Sequence, residues 1–273
     1  MYYISTMNAL LSLCSALLLL ASSALVEAFV LPTQSTTKTA VNPPRSCSRC
    51  YVAPDNVAET DSQEDILKKM EAAKQILYRA AETKQEDADT VVDALLDLEK
   101  LSRKANKVDP SQSEKTLNAL SEGGVDWRLI FTTGTVDTQR KLGGTKINYF
   151  PIKATQSFDS TTQDEWLIQN GIGVGDLELI KFQGDFDWNL SEKSGLTKLT
   201  FDFTSIHLFN GFFDIALKKG EAASLGAKSG LGSANNVELE KRGKRAFFNW
   251  ISADDQIATA RGGGGGLALW KRV

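Results

Sequence analysis

The chain has 273 residues, with 31 basic and 34 acidic side chains and a formal net charge of −3. A mildly acidic chain argues against broad binding to nucleic acid. His207 is the only histidine, and the three cysteines, Cys14, Cys47 and Cys50, all lie near the N-terminus. All three cysteines fall within residues 1–53, which have the pattern of a presequence, so His207 is the one Cys or His ligand in the rest of the chain. A tetrahedral zinc site is therefore essentially excluded, and we expect neither a metal site nor a bound cofactor.

Residues 1–53 have the pattern of a targeting presequence. An apolar run at 9–21 ends at Val26-Glu27-Ala28, a small-x-small cleavage site, which predicts a signal peptide over residues 1–28. Residues 29–53 contain no Asp or Glu and many Ser and Thr, the composition of a transit peptide. Together they resemble the bipartite presequence of algae with secondary plastids, which implies a plastid (chloroplast) location. The alternative is an ordinary signal peptide followed by a linker.

Residues 61–121 are predicted to be helical. Apolar residues recur at three- and four-residue steps over 66–80 and again over 91–101, which is typical of amphipathic helices with one face on a core. Two pairs of residues have the spacing of capping boxes, which mark helix starts: Asp61 with Glu64, and Ser111 with Glu114.

After Gly123-Gly124 the apolar period changes to two, which predicts antiparallel strands. Alternation is clear at 127–132 and 198–204, and further strands are predicted at 145–150, 153–158, 166–172, 177–187, 209–217, 246–252, 256–261 and 267–272. Within 177–187 the apolar positions shift by one residue between Leu179 and Ile180, as at a β-bulge. Many strands without helical crossovers predict a closed antiparallel barrel or a strongly curled sheet over residues 125–273. Such a barrel is wide enough for one small apolar ligand.

Residues 218–245 show no apolar periodicity and are predicted to be a long loop. The loop is basic, and long loops are often functional. One hypothesis is a patch for anionic lipid headgroups or an acidic partner, and the other is a solvated turn. The residues of this candidate patch are Lys241, Arg242, Lys244 and Arg245.

Two segments resemble the plastid lipid-associated protein/fibrillin family. Asp126-Trp-Arg-Leu-Ile-Phe-Thr-Thr-Gly134, after a short helix and two glycines, resembles the first strand of that family. The segment from Phe248 to Trp270 resembles the terminal hairpin, in which an aspartate-rich turn leads to Arg261-Gly-Gly-Gly-Gly-Gly266 and a last apolar strand. The resemblance covers residues 61–273 and is most specific at its two ends.

The resemblance implies an α+β fold, with N-terminal amphipathic helices followed by a lipocalin-like antiparallel β-barrel. It also implies a non-catalytic protein that binds or organises isoprenoid lipids, such as carotenoids or quinones, at plastoglobules or thylakoids. Its partners would be plastid lipids, a peripheral membrane or lipid-droplet surface, and a plastid protein. Arg261 matches the motif, whereas Ala258 stands where members often have a second Arg. Candidate ligand-lining residues, for which a purely structural role is the alternative, are Trp127, Phe131, Phe201, Phe203, Phe248, Trp250 and Arg261.

Two other hypotheses remain. An enzyme acting on a prenyl or carotenoid substrate would use His207, oriented by Asp202 or Asp214. Asp185 and Asp187, two apart on one strand, would be its acid–base pair. A single histidine in a strand is more often structural, so we expect no catalysis. An accessory subunit of a plastid protein assembly would differ from the lipid-binding protein only in its partner.

Overall fold

The computed structural model describes residues 62–134, 148–150, 152–161, 165–229 and 234–273, together with Gln139. The predicted signal and transit peptides lie outside these residues. The helices are α1 (Gln63–Thr83), α2 (Ala88–Val108), α3 (Ser111–Ser121), α4 (Glu221–Ser229) and α5 (Ala234–Lys241). The strands are β1 (Asp126–Thr132), β2 (Lys153–Asp159), β3 (Leu167–Val174), β4 (Leu177–Ser191), β5 (Leu196–Leu208), β6 (Phe213–Ala216), β7 (Ala246–Ala253), β8 (Ile257–Gly262) and β9 (Leu267–Arg272).

Eight of these strands close into an antiparallel barrel. The order around it is β1-β2-β3-β4-β5-β7-β8-β9, and β9 pairs with β1. Strand β5 is shared, because Thr197–Phe201 pair with β7 whereas Ser205–Leu208 pair with β6. The fold is therefore α+β, and the prediction of helices followed by a closed antiparallel barrel is confirmed. Of the strand predicted at 145–150, only part lies in the described residues, where Tyr149 forms an isolated bridge with Phe131.

Bulges allow the long strands to bend around the barrel. The bulge predicted in β4 is present at Leu179, which is the extra residue opposite β3. A second bulge lies at Thr204 of β5, opposite the step from Gln183 to Gly184. A Cβ at Gly184 would lie 1.9 Å from a backbone carbonyl oxygen of the neighbouring strand, so this crossing requires glycine.

The first two helices pack on the outside of the barrel. Their apolar stripes, which include Leu77, Leu95 and Leu98, form one core with outward-facing residues of β1, β7, β8 and β9. The capping box of α1 is made by Ser62 and Asp65, one position later than predicted. In α3 no side chain caps the N-terminus in the predicted way. Asp109 instead accepts the Ser111 N–H at 3.1 Å.

Helix α3 closes one end of the barrel. Leu117 and Leu120 pack into the interior core, and the Trp127 indole N–H donates to the Leu120 carbonyl at 3.0 Å. Trp188 donates to the Ser113 hydroxyl at 3.1 Å. We call this the closed end and the opposite one the open end. Among the described residues no helix is both long and apolar enough to cross a bilayer.

The long loop predicted at 218–245 contains helices α4 and α5, so that prediction is wrong. Helix α4 follows Lys218-Lys219-Gly220 and buries Ala222. Its Leu225 packs against a buried cluster of the barrel that consists of Ile180, Phe182, Ile206 and Leu208. Helices of only nine and eight residues leave no clear period in the sequence.

Candidate functional site

The half of the interior near the closed end is filled with aromatic rings. Trp250 packs edge-on against Phe158, with ring centroids 5.4 Å apart, and lies 5.3 Å from Trp270. Phe186 and Trp127 complete this cluster, and all five side chains are buried. Interlocked rings at this spacing form a packed core.

The half near the open end encloses a cavity of about 580 Å³. Its wall combines residues from the barrel strands, helices α4 and α5, and the glycine turn at 262–264 between β8 and β9. Gly265 in that turn has a φ of +87°, which favours glycine. The main apolar wall residues are Leu129, Ile172, Phe182, Phe201, Phe203, Ala222, Ala223 and Phe248.

The predicted ligand-lining aromatics divide into two groups. Phe201, Phe203 and Phe248 line the cavity, and Phe201 stacks on Phe248 with centroids 5.2 Å apart. Trp127 and Trp250 do not line it, because both are buried in the closed half of the interior.

Phe131 also lies outside the cavity. A register shift between Leu129 and Phe131 inserts one extra residue in β1, so the alternation changes face there. Phe131 therefore points outward and packs under α1 and α2. Its predicted role as a ligand contact is corrected to a role in the helix–barrel interface.

Arg261 anchors α2 to the barrel. Its Nε lies 3.0 and 3.1 Å from the two carboxylate oxygens of Glu99, its Nη2 lies 2.5 Å from Oε2, and its Nη1 donates to the Gly265 carbonyl at 2.8 Å. Burial opposes the charge of Glu99. The hydrogen bonds and charge of Arg261, helped by Arg103, outweigh this and hold the pKa of Glu99 below its usual range. The structure thus gives Arg261 a structural partner and does not place it in the cavity wall.

The four residues of the predicted basic patch do not share one environment. Arg245 donates to Asp187 at 2.6 Å, to the Asp185 carbonyl at 2.7 Å and to the Asp185 carboxylate. Asp185 and Asp187, which the enzyme hypothesis paired as acid and base, are therefore held by one guanidinium. Lys241 pairs with Glu238, whereas Arg242 and Lys244 are exposed. Lys244 and Arg245 are among the residues that line the cavity.

His207 lies on the outer face of the barrel between a serine and an aspartate. Its Nε2 is 3.1 Å from Ser205 Oγ, and its Nδ1 is 2.5 Å from Asp214 Oδ1. Of the two predicted orienting carboxylates, Asp214 is thus the partner, and Asp202 instead accepts the Gly220 N–H at 3.2 Å. A polar groove of about 390 Å³ adjoins His207.

Apolar side chains are exposed on two hairpin tips beyond the open end. Phe212 is 78% exposed, and Val174, Leu177 and Phe213 are also exposed. Two hydrogen bonds join these tips: the Asn210 side chain accepts the Glu178 N–H at 2.8 Å, and the Asn210 N–H donates to the Glu178 carbonyl at 2.9 Å. The tips therefore form one apolar surface, and no sequence signal had marked it.

In the described part of the chain, no group of three or more His, Cys, Asp or Glu side chains is arranged to hold a metal ion. Searches with the chain match no family model, no curated protein and no solved structure. The family resemblance of the two terminal segments therefore stays a prediction. Function has to be argued from the barrel itself.

Proposed function

We propose that this protein is a non-catalytic plastid lipid-associated protein with a lipocalin-like barrel, which binds isoprenoid lipids such as carotenoids or quinones. The observation that carries the proposal is the cavity of about 580 Å³ at the open end, whose wall is largely aliphatic and aromatic. This volume lies within the range of small-molecule sites. Each CH₂ group that enters such a wall gains about 0.8 kcal/mol from leaving water.

The exposed hairpin tips support the peripheral part of the proposal. Val174, Leu177, Phe212 and Phe213 are exposed on the hairpin tips of the open end, where apolar side chains could enter the surface of a lipid layer. Asp176, Glu178 and Asp214 lie beside them and make a neutral lipid surface a better partner than an anionic one. The proposed surface is that of a thylakoid or a plastoglobule: the transit-peptide pattern in residues 29–53 implies a plastid, and the resemblance of the two terminal segments to the plastid lipid-associated protein/fibrillin family implies these surfaces within it.

Purification of the protein from its native plastid, followed by mass spectrometry of the lipids that accompany it, tests this proposal. We expect one isoprenoid lipid at close to one molecule per chain. A matched sample of Ala154→Phe, which narrows the cavity wall on β2, should lose that lipid. Lys153→Phe, at the exposed neighbouring position, should retain it. Ligand-free protein recovered with a stoichiometric protein partner would contradict the proposal and favour the accessory-subunit hypothesis.

A second candidate function is favoured by one specific observation, the Ser205–His207–Asp214 arrangement. With the proton on Nδ1, His207 donates to Asp214 and accepts from Ser205, which is the hydrogen-bond pattern that activates a serine for attack on an ester. The substrate would be an ester of a prenyl or carotenoid alcohol. Hydrolysis of such an ester that disappears in both Ser205→Ala and His207→Ala would establish this function, and equal rates in all three proteins would remove it.

A further inference from the structure

Three neutral side chains in the barrel interior carry a buried polar atom without a hydrogen-bond partner among the described residues. These atoms are Gln156 Oε1, Asn170 Oδ1 and Trp250 Nε1. The other such atoms in the described residues are arginine Nε atoms, of which those of Arg103 and Arg245 belong to guanidinium groups that form ion pairs. In the part of the chain that the structure describes, every buried neutral side-chain polar atom without a partner therefore lies in the barrel interior.

Gln156 and Asn170 lie side by side between the cavity and the packed core. They are direct partners in the pairing of β2 with β3. Asn170 and Ala154 line the cavity, whereas Phe158 belongs to the aromatic cluster. Alternation along β2 puts Gln156, which is 4% exposed, on the inner face between Ala154 and Phe158. The two amides therefore form a polar floor beneath an apolar wall.

A barrel that needed only to pack would gain stability from leucine at these two positions. A buried amide oxygen without a donor loses its hydrogen bond to water and receives nothing in exchange. Unpartnered buried groups of this kind call for a specific explanation, and a bound molecule is one that fits a cavity floor.

Building on the proposed function, we propose that the cavity binds a lipid alcohol whose hydroxyl group reaches the floor and hydrogen-bonds the side-chain amide of Asn170, the floor residue that lines the cavity. Gln156 stands beside that contact, and the apolar chain extends between Phe201, Phe203 and the mouth. A side-chain amide offers both a donor and an acceptor; a hydroxyl can pair with either, whereas an ether or a carboxylate can only accept. The unpartnered oxygen of Asn170 therefore favours a hydroxyl. The lining cations, Lys219, Lys244 and Arg245, come from residues 218–245 and not from β2 or β3, which carry the floor, so a carboxylate on the floor would have no counter-charge from these two strands.

The test compares two probes that differ only in the donor: geranylgeraniol and its methyl ether. Affinity is measured by displacement of a fluorescent apolar probe from the full folded protein. We expect wild type to bind the alcohol about three- to tenfold more tightly, the range for one hydrogen bond between neutral groups.

Asn170→Leu should reduce that preference to less than twofold while keeping the affinity for the ether. Asn189→Leu makes the same change at an exposed position of β4 and should leave the preference intact. Equal binding of alcohol and ether by wild type, or an unchanged preference in Asn170→Leu, would overturn this inference and leave the proposed function standing. Failure of the protein to bind either probe or a quinone analogue would instead overturn the proposed function.

Discussion

The two halves of the barrel interior are built from the same strands, with the same alternation of inward and outward side chains. The half near the closed end is nevertheless packed with side chains, whereas the half near the open end contains the cavity. Toward the closed end the inward positions carry large rings, and α3 adds leucines. Toward the open end they include Ala154 and Asn170, and the covering segments contribute Ala222, Ala223 and glycines. Both halves mix large and small inward residues, because the open half also carries Phe201, Phe203 and Phe248 and the closed half carries Ala258, Ala260 and Ala268. The clearer difference is what covers each end: the leucines of α3 at one, and α4, α5 and the glycine turn at the other.

The largest loss of folding stability is expected from a substitution in the closed half. Trp250→Ala should destabilise the protein by about 3–5 kcal/mol, since it removes a large buried ring from a close-packed cluster. Phe203→Ala, at the cavity wall, should cost no more than about 1–2 kcal/mol, because that ring already faces open space on one side. Urea denaturation measures both values. Similar losses in the two variants would mean that the halves do not differ in packing.

A second effect concerns the attachment of the helices to the barrel. Arg261→Ala leaves the carboxylate of Glu99 buried without its main partner and should cost about 2–3 kcal/mol, less than a fully buried pair because Arg261 is partly exposed. Urea denaturation measures this too. The double variant Arg261→Ala/Glu99→Gln should recover part of that loss. No change in Arg261→Ala would show that the ion pair contributes nothing to attachment.

The same ion pair gives the protein an acid-sensitive contribution to stability. The folded-state pKa of Glu99 lies below its ordinary value of 4.5. Its contribution is therefore complete above that pH and is lost as the pH falls toward the folded-state value. Urea midpoints of wild type and Glu99→Gln, measured from pH 6 downward, should converge as the pH falls below about 4.5. Parallel curves would exclude Glu99 as the source.

A third prediction uses the apolar hairpin tips. The double variant Phe212→Ser/Phe213→Ser should bind phosphatidylcholine vesicles at least about tenfold more weakly than wild type, because each inserted ring contributes about 1.5–3 kcal/mol. The control Leu67→Ser/Leu96→Ser changes exposed apolar residues on the helices and should leave vesicle binding unaltered. Flotation with vesicles measures both. Equally weakened vesicle binding in the two variants would mean that the hairpin tips contact lipid no more than the exposed helix residues do.

The smallest effect is expected on the outer face. His207→Ala should change the affinity for a quinone analogue by less than about threefold, since His207 adjoins the outer groove and is not part of the cavity wall. Fluorescence titration of the variant measures it. A loss of more than tenfold would connect the Ser205–His207–Asp214 arrangement to ligand binding.

Local patterns in the sequence predicted much of the fold. The change of apolar period at Gly123-Gly124 located the start of the barrel, and the phase shift after Leu179 located a bulge. The aspartate turn also followed from residue type, because Asp254 accepts the N–H groups of Gln256 and Ile257, each at 3.0 Å.

The site was less predictable, for physical reasons. Leu129, Ile130 and Phe131 are all apolar, so nothing in the sequence showed that a bulge turns Phe131 outward. Arg261 meets Glu99, a residue 162 positions away, and no spacing rule reaches that far. Asn170 and Gln156 could have been noticed as polar residues at inward-facing positions of predicted strands. Their significance depends on which half of the barrel they occupy, and only the packing of the whole chain decides that.

The claim that the open half is a lipid site is tested most directly by titrating one quinone analogue into three proteins. Wild type and Lys153→Phe should bind it equally, and Ala154→Phe should bind it at least about tenfold more weakly, because its ring occupies the space of the ligand. All three should unfold at similar urea concentrations. Equal affinity in Ala154→Phe and wild type, with both proteins folded, would contradict the account.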